Sequence, residues 1–154
     1  MDSLDTQVLD AARKWAAAGH RFALITVART WGSAPRPPGA WMVLRDDGLV
    51  QGSVAGGCIE DDLIRRAAAG EFSGELGKNT PLLLRYGVTA DEAHRFGLPC
   101  GGTLELVLEP APDVALLEQL AQRIGGGQLV QRRVALASGV VSIEGGSAGD
   151  SLQW

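Results

Sequence analysis

The sequence predicts an α+β fold in which about three helices pack on a mixed, largely antiparallel sheet. Helix-like and strand-like apolar patterns follow one another in the order α-β-β-β-α-β-β-α-β-β, without regular βαβ alternation. An Asp-Gly turn joins two strand patterns into a hairpin, and the 21 glycines are about twice the usual share of ~7%. These observations favour antiparallel strands and tight turns over a doubly wound parallel sheet.

The first part of the chain contains a helix, a strand and an irregular loop. Apolar residues at helical spacing predict a helix over 3–19, and a β-branched run predicts a strand over 22–28. The segment 29–39 is rich in proline and glycine, which excludes regular structure there.

The middle of the chain contains a hairpin followed by a second helix. Apolar stretches at 40–45 and 49–53 flank the turn Asp46-Asp47-Gly48, which is typical of a hairpin. Residues 58–69 predict a helix, because acidic residues occupy the first turn, arginines lie near the end, and apolar residues share one face. Cys58 therefore lies at a predicted helix N-terminus.

The remaining chain contains four predicted strands and one helix. The strands are expected at 81–86, 103–108, 130–137 and 140–143, and the helix at 113–124. In 103–108 leucine alternates with other residues, which predicts a strand with one drier face.

Length and composition limit the class of protein. The 154 residues fit one domain, which we expect over 1–145, followed by a loose tail at 146–154. A net charge of −4 argues against nucleic acid as a partner. The sequence has neither a membrane-length apolar run nor a signal peptide, so we expect a cytoplasmic protein with no membrane partner. Its glycine-rich stretches lack the spacing of a dinucleotide site, so no Rossmann domain is expected.

Two cysteines, each beside a glycine pair, indicate a site. Gly56-Gly57-Cys58 runs into the second helix, and Cys100-Gly101-Gly102 runs into a strand. Glycine pairs let a bulky group approach both the sulfur and the backbone amides. A helix N-terminus favours the thiolate of Cys58, although the carboxylates at 60–62 oppose it. For either cysteine alone, a buried small side chain beside a turn is the simpler interpretation.

Arg36 is the most specific basic residue of the sequence. Prolines on both sides restrict its loop, and its guanidinium can hold a phosphate through two hydrogen bonds. Ser33 offers a hydroxyl to the same anion. The alternatives are a solvated loop arginine and a serine that satisfies local backbone groups. The cysteines lack the local pairs of a zinc site, whereas two thiolates suit a thiophilic metal such as molybdenum or copper.

Three motifs together resemble the N-terminal domain of the XdhC/CoxI family. They lie at 30–40, 52–60 and 97–105, and the resemblance covers about residues 5–110. Members of this family are accessory factors of xanthine dehydrogenase and related molybdenum hydroxylases. The resemblance implies a chaperone that binds molybdenum cofactor (molybdopterin) and assists its sulfuration by a cysteine desulfurase. It further implies delivery of the cofactor to the molybdenum hydroxylase apo-enzyme.

The resemblance also implies the residues of the site. Carried over by position, the cofactor-binding residues are Cys58, Cys100, Gly56, Gly57, Gly101, Gly102, Ser33 and Arg36, with both thiols as molybdenum contacts. We therefore expect a cofactor chaperone rather than an enzyme that turns over a substrate, and its size and task suggest a homodimer. A thiol-dependent sulfur-transfer enzyme and a non-catalytic interaction domain are the alternatives.

Overall fold

The structure is a computed structural model. It describes residues 3–31, 39–54, 57–69, 81–87, 103–110, 112, 114–125, 130–134 and 141–145. The helices in this part of the chain are α1 (Ser3–Ala17), α2 (Gly57–Ala68) and α3 (Val114–Gly125). The strands are β1 (Phe22–Trp31), β2 (Trp41–Arg45), β3 (Val50–Gly52), β4 (Leu82–Tyr86), β5 (Thr103–Glu109), β6 (Val130–Val134) and β7 (Val141–Gly145). Each element predicted from the sequence is present, and the predicted tail lies outside the described residues.

Five of the strands form one sheet in the order β3-β2-β1-β5-β4, and β6 pairs with β7 separately. Every pairing among the described strands is antiparallel. The predicted α+β class with a largely antiparallel sheet is therefore confirmed. No helix in the described ranges combines the length and the hydropathy needed to span a bilayer.

Helices cover both faces of the five-stranded sheet. On one face, Ile59 and Leu63 of α2 pack in a core with alternate residues of the central strands, such as Ile25 and Leu106. On the opposite face, α1 and α3 enclose a second core that includes Val8 and Leu117. Each large aliphatic side chain buried in this way contributes about 1.5–3 kcal/mol. The sheet is thus the middle of three layers.

Two features of the central strands differ from the sequence prediction. The residues Arg29-Thr30-Trp31, predicted to belong to a loop, continue β1, because they pair with β5 after a bulge between Val27 and Arg29. The predicted drier face of β5 is not the only buried one, since Glu105, Val107 and Glu109 on the other face are also buried. When helices cover both faces of a sheet, the side chains on both faces of a central strand are buried.

Gly52, the last residue of β3, is required by its surroundings. Its φ is +93°, and a Cβ at this position would lie 2.7 Å from the carbonyl oxygen of Trp41 and against the side chain of Val8. Real Cβ atoms do not approach backbone this closely. Gly52 therefore allows α1 and β2 to close around the end of β3, from which the chain continues towards α2.

We predict that Gly52→Ala destabilises the protein by about 2–5 kcal/mol, because the new methyl group adds a steric clash to the strain of a positive φ. Gly19→Ala is the matched control, since Gly19 has a φ of +82° and a Cβ added there would have no heavy atom within 4 Å. In the control, only the strain of the positive φ should lower the free energy of unfolding, by about 1–2 kcal/mol. Urea unfolding measures both losses, and equal losses would contradict the steric argument.

Candidate functional site

Antiparallel pairing joins two of the predicted site segments at one end of the sheet. Trp31, the last residue of β1, is the Cα partner of Thr103, the first residue of β5. The segment that contains Ser33 and Arg36 follows Trp31 in the sequence, and Cys100-Gly101-Gly102 precedes Thr103. Directly paired residues in an antiparallel sheet lie about 4.5–5.5 Å apart. Both segments therefore connect to the sheet at neighbouring backbone positions.

The third segment follows the edge strand β3, which runs in the same direction as β1. Gly52 pairs with Met42 of β2, and Met42 pairs with Ile25 of β1. Since β1 and β3 are both antiparallel to β2, their C-terminal ends point in one direction. Two strand spacings and the greater length of β1 place Gly52 roughly 20 Å from Trp31. From Gly52 the chain continues to the start of α2 at Gly57.

The described residues include part of the predicted site. Gly57 and Cys58 are the first two residues of α2, as the sequence predicted for Cys58 to within one position. The other predicted residues lie outside the described part of the chain: Gly56, Ser33, Arg36, Cys100, Gly101 and Gly102. Within that part, no group of three or more His, Cys, Asp and Glu side chains is arranged to hold a metal ion.

The carboxylates near the start of α2 have hydrogen-bond partners. The Ser53 hydroxyl donates to Glu60 Oε2 at 3.4 Å, which connects the first turn of α2 to the end of β3. Arg65 donates to Asp62 Oδ1 at 2.7 Å, while Asp61 is exposed to solvent. Partner groups and solvent therefore reduce the negative potential that these acids impose on the helix N-terminus.

Asp62 keeps its charge although its side chain is only 11% exposed. Burial acts to raise the pKa of Asp62, but hydrogen bonds from Arg65 and Tyr86 outweigh this effect, so the pKa lies below its ordinary value. The carboxylate is thus ionised at neutral pH and available as an acceptor. Its position on α2 links that helix to β4.

Tyr86, the last residue of β4, completes this link. Its hydroxyl donates to Asp62 Oδ2 at 2.7 Å and accepts a hydrogen bond from Arg66 at 3.1 Å. Burial, followed by the hydrogen bond to Asp62, raises the pKa of Tyr86 to about 12. The phenol is therefore a permanent donor at neutral pH and holds α2 against the sheet.

The start of β5 is also joined to the end of β4. The Thr103 hydroxyl donates to the carbonyl oxygen of Gly87 at 3.0 Å. Two positions further along β5, Arg85 Nε donates to Glu105 Oε2 at 2.8 Å. The Glu105 side chain is only 4% exposed, whereas that of Arg85 is 60% exposed. Cross-strand polar contacts thus fix the register beside the Cys100 motif.

The sequence interpretation did not single out Tyr86 or Thr103. Two sequence features could have indicated Tyr86. It is the one tyrosine in the chain, and its two partners, Asp62 and Arg66, are spaced by one helical turn. Nothing in the sequence alone indicates that β4 and α2 meet at these residues. The contact is a product of the three-layer packing.

These features define an α+β domain in which glycine- and cysteine-containing segments connect to one end of an antiparallel sheet. The model of the XdhC and CoxI family matches residues 15–87 of this chain. The matched region contains the Arg36 segment and the Cys58 motif and ends before Cys100. The resemblance seen in the sequence is confirmed by this match.

Two similar proteins extend the comparison. The molybdenum cofactor insertion chaperone PaoD of Escherichia coli (strain K12) is 38% identical over 109 residues, which are 68% of this chain and 32% of PaoD. The crystal structure of a xanthine dehydrogenase from Bacillus halodurans has a TM-score of 0.65 and 22% identity, over 94% of this chain and 46% of that chain. At this identity the second likeness is one of fold. The chain spans about a third of PaoD and under half of the solved structure.

We predict that Tyr86 in the folded protein ionises with a pKa of about 12, above its ordinary value of 10.0. Stability from the protonated phenol is therefore present below pH 10 and is lost as the pH rises through about 12. The ultraviolet absorbance of tyrosinate, read after a stopped-flow pH jump, reports this residue alone because the chain has one tyrosine.

The matched control for this titration is Asp62→Asn, which removes the charge that opposes ionisation of Tyr86. Its Tyr86 pKa should fall towards the ordinary value, although burial of the ring still raises it. An identical titration in the parent and in the variant would contradict the assigned contact between the two side chains.

Proposed function

We propose that this chain binds molybdenum cofactor as cargo, assists its sulfuration and delivers it to a molybdenum hydroxylase of the xanthine dehydrogenase type. The proposal describes a chaperone, not an enzyme that releases a chemically converted substrate. The similarity to PaoD, a molybdenum cofactor insertion chaperone, supports this class of task.

The observation that carries the proposal is the placement of the strand ends that adjoin the three motif segments in the sequence. Trp31 and Thr103 are paired at the end of the two central strands, and β3, which runs in the same direction as β1, precedes α2. A compact ligand whose two ends differ in chemistry needs different types of protein group around one binding pocket. Thiols, a guanidinium and helix amides are supplied by the segments that adjoin these strand ends in the sequence.

Each end of the cofactor has a matching group in the proposed site. Cys58 and Cys100 would contact the molybdenum–dithiolene end, since thiolate ligands suit a thiophilic metal. Arg36, Ser33 and the amides of Gly56-Gly57 would hold the phosphate, because a helix N-terminus and a guanidinium both favour anions. Gly101-Gly102 would leave space beside the second thiol.

The electrostatics of α2 fit an anionic ligand at its first turn. The carboxylate of Glu60 in that turn, together with those of Asp61 and Asp62 just after it, could have repelled a phosphate or a thiolate. Ser53 and Arg65 instead hold Glu60 and Asp62 in hydrogen bonds, and Tyr86 adds a second donor to Asp62. The remaining helix dipole, equivalent to about half a positive charge, is then available to the ligand.

The proposed task requires two protein partners. An apo-hydroxylase would receive the cofactor, and a cysteine desulfurase would supply the sulfur atom installed on it. We further propose a homodimer in the cytoplasm, in keeping with the size of the chain and with reduced thiols. The net charge of −4 supports protein partners over nucleic acid.

We predict that Cys58→Ser and Cys100→Ser each weaken binding of the molybdenum-loaded cofactor by roughly tenfold or more, because a hydroxyl is a poor ligand for a soft metal. Binding of the metal-free pterin should change less in both variants. Molybdenum and pterin retained after gel filtration measure the two affinities. Glu118→Gln, which alters the tie between α1 and α3, is the control that should bind like the parent. Unchanged binding in both cysteine variants would exclude the thiol role.

We predict a different pattern for Arg36→Gln. If the guanidinium holds the phosphate, the variant should weaken binding of the metal-loaded and the metal-free cofactor equally, by roughly tenfold. Arg36→Lys keeps the charge but lacks the two-pronged geometry, so its loss should be smaller. The same retention assay separates these cases, and full affinity in Arg36→Gln would contradict the phosphate contact.

A further inference from the structure

The C-terminal end of β4 contacts both elements that carry a cysteine motif. Tyr86 reaches α2, which begins at Gly57-Cys58, and the next residue, Gly87, accepts a hydrogen bond from the first residue of β5. That residue, Thr103, follows Cys100-Gly101-Gly102 directly in the sequence. The Tyr86-Gly87 dipeptide therefore joins α2 to the first residue of β5, although neither cysteine motif contains it.

The α2 side of this junction restrains the helix in two directions. Asp62 and Arg66 are one helical turn apart, and the Tyr86 hydroxyl bonds both of them, at 2.7 and 3.1 Å. A phenol held between successive turns opposes sliding of the helix along its axis as well as rotation about it. Tyr86 is only 2% exposed, so water does not compete effectively for these bonds.

The β5 side restrains the start of the strand. Tyr86 is the Cα partner of Leu104, and Thr103 extends this pairing by donating its hydroxyl to the Gly87 carbonyl at 3.0 Å. Gly87 has a φ of +80°, a conformation that favours glycine and turns the chain away from β4. The hydroxyl of Thr103 thus holds the point where the chain enters β5.

We propose that Tyr86 and Thr103 are positioning residues that together set the separation between the Cys58 motif and the Cys100 motif. The inference deepens the proposed function, on which its relevance to cofactor binding rests. Two thiols can contact one metal centre only when their spacing is held to within a fraction of an ångström to an ångström. A rigid link through β4 supplies that restraint without either residue touching the ligand.

The chain allows a direct test because it contains two cysteines and no others. Spin labels on the native thiols report the distance from Cys58 to Cys100 by pulsed electron paramagnetic resonance, with no cofactor present. We expect one narrow distance distribution in the parent. Tyr86→Phe, which keeps the ring and removes the hydroxyl, should broaden or shift it. Thr103→Val, which removes a hydroxyl at nearly constant volume, should also broaden or shift the distance distribution, because it removes the hydrogen bond to Gly87.

The control is Glu118→Gln, which weakens the 2.7 Å contact with Arg13 on the opposite face of the sheet. A purely structural role would lower the melting temperature in all three variants and leave the distance distribution as in the parent. That result, in Tyr86→Phe and Thr103→Val together, would overturn the inference. A change in either junction variant that is absent from the control supports it.

Cofactor retention separates this inference from the proposed function. If the parent retains cofactor, both junction variants should bind it roughly tenfold more weakly, because the two thiols no longer keep a fixed spacing. If the parent retains none while the distance still depends on Tyr86, the proposed function fails and the positioning role stands. If the parent binds and both junction variants bind equally at an unchanged distance, only the positioning role fails.

Discussion

The pairing of β1 with β5 is the constraint on which the rest of the structure depends. It joins two antiparallel units, β1-β2-β3 and β4-β5, into one sheet, with a register that runs from Leu24–Glu109 to Trp31–Thr103. Both strands are buried on two faces, so their union allows helices to cover the sheet from both sides. Without it, each unit would expose an unpaired edge and half of a core, and a two-stranded unit such as β4-β5 is at best marginally stable by itself.

This pairing also explains how two segments that are distant in the sequence attach to neighbouring positions of the sheet. The segments before β5 and after β1 are far apart in sequence, yet the register makes their attachment points neighbours. The third motif follows the edge strand β3 and the glycine at position 52, where a side chain has no room. The polar contacts of Tyr86 then fix the helix over the sheet, since apolar packing alone is non-directional.

Much of the fold could be predicted from the sequence, because local patterns determine its elements. Helical spacing in α1, the Asp-Gly turn between β2 and β3, and the alternation in β5 each depend on near neighbours in the chain. The extension of β1 to Trp31 could not be predicted, since a partner strand more than seventy residues away overrides the loop-like composition of that segment. The contact between Tyr86 and Asp62 could not be predicted either, because it depends on how α2 packs on the sheet. The start of α2 at the Cys58 motif was predicted from local charges, whereas the spatial relation of the two cysteine motifs depends on tertiary pairing.

The order of strands in the sheet bears on how the protein is made. β5 is inserted between β1 and β4, so a nascent polypeptide on the ribosome cannot complete the sheet until the residues up to Glu109 have emerged. Until then β4 lacks its pairing with β5, and one edge of β1 can pair with a strand of another chain. The region that the family model matches, 15–87, ends after β4 and before β5, so it does not contain all the strands that the sheet needs.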